Sequence, residues 1–556
     1  MPHFRNKAKT LKEAQAGEHK GDDALKFYTE REWPKCDVIV SNPPFLGGKM
    51  IRRELSDAYV DALFQTFGER VRPEADLCCY WFEKARDQIA TGKCRRAGLL
   101  ATQGIRGGAN RDVLKSIKTN GDIFFAESDR DWILAGANVH VSMVGFDDGS
   151  ETNRILDGHS VSAIHSNLSA ASADTTIAKR LYANTSIGFM GDTKVGPFEF
   201  AESVAESLLN SSNLHGRPTS DAVRPWVNGM DVTRRSQNLW TVDFPPGTSE
   251  ADAALYEPAF EYIRKHVRPI RATARSGDRT GVPWWIHQRP RPDMRDAIKP
   301  LPRFLATPTV SKHRMFVWLS APTLPDHQLI VFASDADLFF GVLHSRMHEI
   351  WALKLGTRLE TRPRYTPTSS FETFPFPRPT PAQEDAIAAA AKELNELRER
   401  WLNPPEWTRT EFLEFPASAD GPWALYVDCG GKRSATPLSP ASGAQSAVAA
   451  NALSAHSKIG LARYPRLVPR DADCSAKLKK RTLTNLYNER PAWLDLAHKK
   501  LDAAVAAAYG WPADLSDEQI LEKLLALNLE RAAEEAKAAT FKKPRGSRAK
   551  REDEML

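Results

Sequence analysis

Apolar positions recur along this chain in two ways, and the change between them divides it. From residue 36 to about 147, short aliphatic runs alternate with amphipathic stretches. Val38, Ile39 and Val40 form the first run, and Ser41-Asn-Pro-Pro44 stops it, because proline cannot donate to a strand ladder. This run reads as a buried strand. Helical spacing follows near 55–68 and 76–91, then a strand at Ala97–Thr102, a helix near 110–119, and strands at Asp122–Ala126 and Val139–Phe146. Strands alternating with helices predict an α/β layer with a largely parallel sheet, its last segment suited to a hairpin edge.

Beyond this layer the pattern loosens. Residues 1–150 are expected as one domain, and 151–176, rich in Ser, Ala, Asp and Asn, as a linker. Residues 177–378 carry many prolines and aromatics with short strand-like runs, ending at Phe371-Glu-Thr-Phe-Pro-Phe-Pro377, and read as a mixed α+β domain. A mainly helical region at 379–540 follows. Thr380, Pro381 and Gln383 open its first helix as a capping box, which runs to about Trp401. Two more helices are expected at 491–509 and 516–538, the second opened by Ser516 and Gln519. Residues 432–458 read as a loose loop, and 541–556 as a disordered basic tail.

Composition adds limits rather than an answer. The 556 residues suffice for two to four domains, and 42% hydrophobic with 26% charged residues is ordinary for a globular protein. A net charge of +6 permits a nucleic-acid partner without demanding one. The six cysteines include no CxxC pair, which suits reduced thiols in a cytoplasm better than a disulfide framework or zinc site. His344 and His348 lie four apart but lack a metalloprotease glutamate between them, so no metal is expected. No secretory signal or membrane-spanning run is expected, and the localisation reads as cytoplasmic.

The sharpest chemical signal is Asn42-Pro43-Pro44-Phe45 directly after an apolar run. The exocyclic amine of adenine is a poor nucleophile, because its lone pair is delocalised into the ring. Two hydrogen-bond acceptors on its N–H groups draw the nitrogen toward a tetrahedral shape and free that lone pair. An Asn side-chain oxygen and the carbonyl of the next proline suit this task, and stiff prolines hold them in place beforehand. Phe45 offers a face for an extruded base. No Pro-Cys pair exists to serve a cytosine-C5 reaction.

Cys36-Asp-Val-Ile-Val-Ser-Asn-Pro-Pro-Phe-Leu-Gly-Gly-Lys49 resembles the catalytic motif of gamma-type adenine-specific DNA methyltransferases of restriction-modification and phage-defence systems. Asp76–Phe82, Arg96–Gly104, Gly136–Phe146 and, near the C-terminus, Leu486–Leu494 and Tyr509-Gly-Trp511 resemble further segments of that family in order. The resemblance covers about 36–147, much of 220–378, and 484–531. It implies a partial Rossmann-like class I methyltransferase sheet, a target-recognition domain over 177–378, S-adenosylmethionine as methyl donor and double-stranded DNA as partner. It implies Asn42 and Pro43 as acceptors, with Pro44 and Phe45 completing the loop. The family binds its cofactor ahead of this loop, through a glycine-rich turn and an acidic residue. Only 41 residues precede Asn42 here and none forms such a turn, so the cofactor-binding residues are unassigned. A gene fragment, a second polypeptide supplying the missing half, or an inactive remnant would each account for this.

Residues 264–295 hold nine Lys or Arg against Asp278 and Asp293, with Trp284 and Trp285 among them. Basic residues interleaved with aromatics suit phosphate contacts and stacking, so Arg268, Arg271, Arg275, Trp284, Trp285, Arg289 and Arg291 are the expected DNA contacts. Two other readings stay open: a catalytically inactive DNA-binding or specificity module, and an amino-methyltransferase acting on RNA or protein.

Overall fold

The computed structural model describes residues 4–6, 28–134, 137–170, 174–273, 281–359, 362–428 and 459–541. The expected loop at 432–458, the expected tail from 542 and Arg275 lie outside them. The chain forms two compact units, Met1–Ile177 and Ala178–Leu556.

In the first unit a short antiparallel pair, β1 (Phe4–Asn6) with β2 (Tyr28–Glu30), stands apart from a six-stranded sheet ordered β3-β4-β6-β5-β7-β8. β3 (Val38–Ser41) runs parallel to β4 (Arg96–Thr102). β6 (Ala137–Asp147) is antiparallel to both β4 and β5 (Asp122–Leu134). β5 is parallel to β7 (Arg154–Leu156), which pairs with β8 (His159–Val161). The sheet is therefore mixed rather than largely parallel. β5 turns straight back into β6, and that hairpin enters the middle of the sheet instead of forming its edge. The stretch 151–176, expected as a linker, carries β7 and β8.

A second correction concerns β3. It is an edge strand and not a buried one: Val38 is 51% exposed and Val40 81%. Among the described residues only β4 pairs with it, and the face bearing these two valines is uncovered. Ile39, pointing the other way, packs on the core. Parallel strands are normally covered on both faces, so this edge is unusual.

Among the described residues four α-helices complete the unit: α1 (Gly48–Glu54), α2 (Asp57–Phe67), α3 (Cys79–Ala90) and α4 (Arg111–Asn120). Ser56 caps α2 by accepting the Tyr59 N–H at 3.3 Å. α3 is buried nearly all round, including its charges. Arg86 pairs with Glu83 at 2.7 Å, and Lys84 donates to Glu30 at 2.9 Å and to the Arg31 carbonyl at 2.7 Å. A buried charge left without a partner costs about 3–5 kcal/mol, so these pairs are what permit the helix its interior position.

The second unit holds two four-stranded sheets. One is ordered β10 (Glu199–Ala201), β12 (Leu239–Val242), β11 (Val223–Val227), β15 (Leu324–Pro325); the other β14 (Val317–Ser320), β13 (Arg303–Pro308), β16 (Leu329–Phe332), β9 (Gly188–Met190). Helices α5 (Glu257–His266), α6 (Arg268–Thr273) and α7 (Pro292–Ile298) lie between β12 and β13 in sequence. Then come α8 (Asp337–His344), α9 (Arg346–Leu355) and α10 (Pro381–Leu402), a small sheet of β17 (Thr408–Ser418), β19 (Ile459–Pro469) and β18 (Val427–Asp428), and helices α11 (Ala492–Tyr509) and α12 (Asp517–Phe541). Trp226, Trp240, Trp351 and Trp423 are fully buried. The capping box of α10 forms: Thr380 Oγ1 accepts the Gln383 N–H at 3.4 Å, and Gln383 Oε1 accepts the Thr380 N–H at 2.9 Å. Gly341 lets α8, α10 and α11 meet. A Cβ there would sit 2.8 Å from Ile387, 3.0 Å from Ala391 and 3.2 Å from Leu501.

Candidate functional site

The loop after β3 presents its residues alternately. Asn42 and Pro44 are exposed, Pro43 is buried and Phe45 is half-buried. Pro43 anchors the loop while its neighbours face outward. Among the described residues, neither the Asn42 side-chain amide nor the Pro43 carbonyl has a hydrogen-bond partner. The Pro44 carbonyl is occupied, accepting the Leu46 N–H at 3.2 Å. The loop thus ends with two adjacent acceptors unused.

What holds it lies downstream. The Leu46 carbonyl accepts the Leu77 N–H at 2.8 Å, and the Gly48 N–H donates to Asp76 Oδ1 at 3.0 Å. Asp76 is itself held from both sides: its N–H donates to Asn110 Oδ1 at 2.7 Å, and Asn110 Nδ2 donates to Asp76 Oδ2 at 2.8 Å. Asn110 Nδ2 also reaches the Gly104 carbonyl at 3.4 Å. One Asp–Asn pair therefore joins the loop after β3, the segment before α3 and the loop after β4. Gly48 is required by space. A Cβ there would lie 2.2 Å from the Glu74 carbonyl oxygen. Sequence reasoning did not single out Asp76 and Asn110 as site residues. Asp76 opens the Asp76–Phe82 segment on which the resemblance partly rests, a signal for its importance but not for its role.

In the second unit the expected contact residues scatter. Arg271 is a correction. It is 5% exposed, and its guanidinium donates at 3.3 Å to the carbonyls of Val282, Pro283 and Ile286, so it braces a loop and does not face solvent. Trp284 and Trp285 are half-buried against the core, the ring of Trp284 5.4 Å from that of Phe260, and Trp285 Nε1 donates to the Thr248 carbonyl at 2.9 Å. Arg268 lies over Trp284 at 5.4 Å. Arg289 is exposed and Arg291 half-buried. Contiguity in sequence did not become one contiguous face, because the apolar side of α5 and α6 turns the tryptophans inward.

Below Arg289 and Arg291 lies a buried cluster of Asp192, Asp243 and His287. Its geometry would suit a cation, but arginines hold the seat. Arg295 donates to Asp243 at 2.7 and 2.8 Å and also pairs with Asp192, and Arg224 reaches Asp243 at 3.0 Å. Burial alone would raise the Asp243 carboxyl, yet Arg295 and Arg224 hold it well below the usual carboxylate range. Two carboxylates already balanced by two guanidiniums leave a metal ion nothing to neutralise.

His344 and His348 are likewise engaged. They sit on separate helices. His344 Nε2 accepts from the Phe316 N–H at 3.2 Å and from Arg398 at 2.8 Å; His348 Nδ1 lies 2.9 Å from the Leu343 carbonyl and Nε2 3.0 Å from the Tyr365 hydroxyl. Burial pushes His348 down to about 3 and His344 well below the ordinary histidine value.

Residues 7–158 match the family described as MmeI, DNA-methyltransferase domain, and residues 248–378 the one described as MmeI, target recognition domain. The chain carries both MmeI-type domains. Over 99 residues it is 31% identical to DNA methyltransferase A of Bacillus subtilis (strain 168), a stretch of 17% of this chain and 11% of that protein. Its fold is similar to that of the type IIL restriction-modification enzyme MmeI solved in complex with DNA, with a TM-score of 0.62 and 19% identity, covering 90% of this chain and 57% of that one. The chain thus spans little over half the length of that protein. No helix among the described residues is long and apolar enough to cross a membrane.

The methyltransferase family implies S-adenosylmethionine as methyl donor. The described residues do not form its cradle. Gly47 and Gly48 belong to the packing of the loop on Glu74–Leu77, and Gly107 and Gly108 join two short turns after β4. Among the described residues, β4 is the one strand that pairs with β3.

Proposed function

We propose that this chain is the part of a site-specific DNA methyltransferase that activates the exocyclic N6 amine of adenine, within an MmeI-like restriction-modification enzyme. The observation carrying this reading is the pair of unused acceptors, Asn42 Oδ1 and the Pro43 carbonyl, on a loop braced by Asp76. An adenine amine placed between them donates one hydrogen to each. The nitrogen moves toward a tetrahedral shape and its lone pair becomes available in line with an incoming methyl group. Phe45, with no aromatic partner among the described residues, stacks on the extruded base; such contacts contribute roughly 1–3 kcal/mol. The target recognition domain and the DNA bound in the MmeI structure support duplex DNA as the substrate.

We read the β3-to-β8 sheet as part of a Rossmann-like class I methyltransferase sheet. The uncovered Val38 and Val40 support completion of that sheet, and of the S-adenosylmethionine site, by strands beyond the described residues, in the same chain or a second polypeptide. The experiment compares the chain with its Asn42→Ala variant, each alone and with the product of the adjacent reading frame. Methyl transfer to duplex DNA should fall at least about 100-fold, the scale of losing one preorganised hydrogen-bond partner, while duplex affinity changes less than about twofold. Retained transfer in Asn42→Ala would remove this loop from the chemistry.

A further inference from the structure

We propose that the groove between β9 and the turn Arg289–Pro292 is a seat for one nucleotide of a DNA strand, Arg289 and Arg291 taking the phosphate while Phe189 and Met190 meet the adjoining sugar and base. The proposal rests on the reading of this unit as DNA-contacting and names where that contact is made. The groove encloses about 420 Å³, with Met294 at its base and Asp293 at its rim. That volume lies at the small-ligand end of binding sites, which run from roughly 300 to 1,000 Å³. It has room for a nucleotide.

The turn is set in advance. Arg289 and Thr193 exchange backbone hydrogen bonds at 3.0 and 3.1 Å. The Pro290 carbonyl accepts from Arg295, whose guanidinium is fixed in turn by Asp192 and Asp243. Arg291 Nε donates to the Gly191 carbonyl at 3.3 Å. Arg291 also adopts φ +46°, a left-handed conformation that a non-glycine residue keeps only when its surroundings impose it. The result holds two like charges side by side. Among the described residues neither Arg289 nor Arg291 is ion-paired to a carboxylate, and Asp192, the nearest buried acid, is engaged by Arg295. Two neighbouring guanidiniums that form no ion pair among the described residues, above an apolar wall with Asp293 at the rim, are complementary to a phosphodiester with its nucleoside. The other expected contacts do not compete for this role, since Arg271 is turned inward and the two tryptophans are packed.

The test measures duplex binding by the full chain from about 50 to 200 mM salt, with variants Arg289→Ala and Arg291→Gly. Glycine accepts the left-handed backbone, so Arg291→Gly removes the guanidinium without straining the turn, and its Tm is expected to match or exceed that of the parent. Exposed Arg400→Ala serves as control. Each groove variant should weaken binding about 5- to 30-fold at low salt and reduce the salt slope by about 0.9 for each phosphate it no longer neutralises, with Arg400→Ala unchanged. If the parent binds duplex and both groove variants keep its affinity and slope, the groove is not where the strand sits, and the methyltransferase reading survives. An equal loss of affinity in Arg400→Ala would mean diffuse charge and overturn the proposal. So would displacement of duplex by millimolar dAMP or inorganic phosphate, which would mark a free-nucleotide or phosphate site. A parent chain that binds no duplex overturns the groove and the wider reading together.

Discussion

Asp76 braces the candidate loop from outside it. Its carboxylate accepts from Gly48 and from Asn110, which joins the two loops. Asp76→Ala is expected to cost about 1–3 kcal/mol of stability, since two donors lose their acceptor. Its effect on methyl transfer should be larger, because a shift of about 1 Å in the acceptors can cost on the order of 100-fold in rate. Hydrogen exchange over residues 42–50 checks this directly: it should quicken in Asp76→Ala while α3 stays protected. Unchanged exchange would mean that the loop is held by Pro43 and Leu46 alone. At this scale the sequence offers candidate residues for the chemistry but not their support. Asn42 and Pro43 could be named as candidates because an Asn-Pro-Pro-aromatic turn after an apolar run sets two acceptors side by side. Asp76 and Asn110 could not, since a pairing across 34 positions leaves no local pattern.

Among elements, helices were easier to foresee than the sheet. The start of α10 is written locally in Thr380, Pro381 and Gln383, and it forms as expected. The place of a strand in a sheet depends on partners far along the chain. Val38-Ile-Val40 has the composition of a buried strand and yet lies at an open edge. The packing of α8, α9 and α11 also carries a pH dependence. Burial is the first cause lowering His344, His348 and His498, with Arg398 beside His344 and His498 adding to it and Arg314 acting on His348; His348 is pushed down to about 3 and His498 to about 4. A depressed histidine stabilises the fold fully above its unfolded value near 6.5 and loses that contribution as pH falls through the folded one. Thermal stability should therefore decline from about pH 6.5 down to pH 4. Asp502 works in the opposite sense: burial raises it to about 6, so its contribution grows as pH falls below that value. Burial raises Glu349 on α9 in the same sense, and the three histidines outnumber these two acids, so the net trend should be loss. Calorimetry from pH 7.5 to 4.5 checks this, with His498→Gln giving a shallower fall. A Tm that does not change across that range would contradict the buried neutral network.

Across the whole molecule, the apolar pattern changes near residue 150, while the chain forms two compact units, Met1–Ile177 and Ala178–Leu556. The site within the second unit was not visible in that pattern. Nine basic residues in 264–295 looked like one surface, but folding turned Arg271 inward and left Arg289 and Arg291 on a groove with Phe189 and Met190, about a hundred positions away. What the first unit does to DNA is tested most directly by nucleoside analysis of duplex DNA after incubation with labelled S-adenosylmethionine, the chain and its adjacent gene product. Label is expected in N6-methyladenine, and is expected to be absent when Asn42→Ala replaces the parent. Label in a methylated cytosine, or N6-methyladenine formed equally by Asn42→Ala, would contradict adenine activation by this loop.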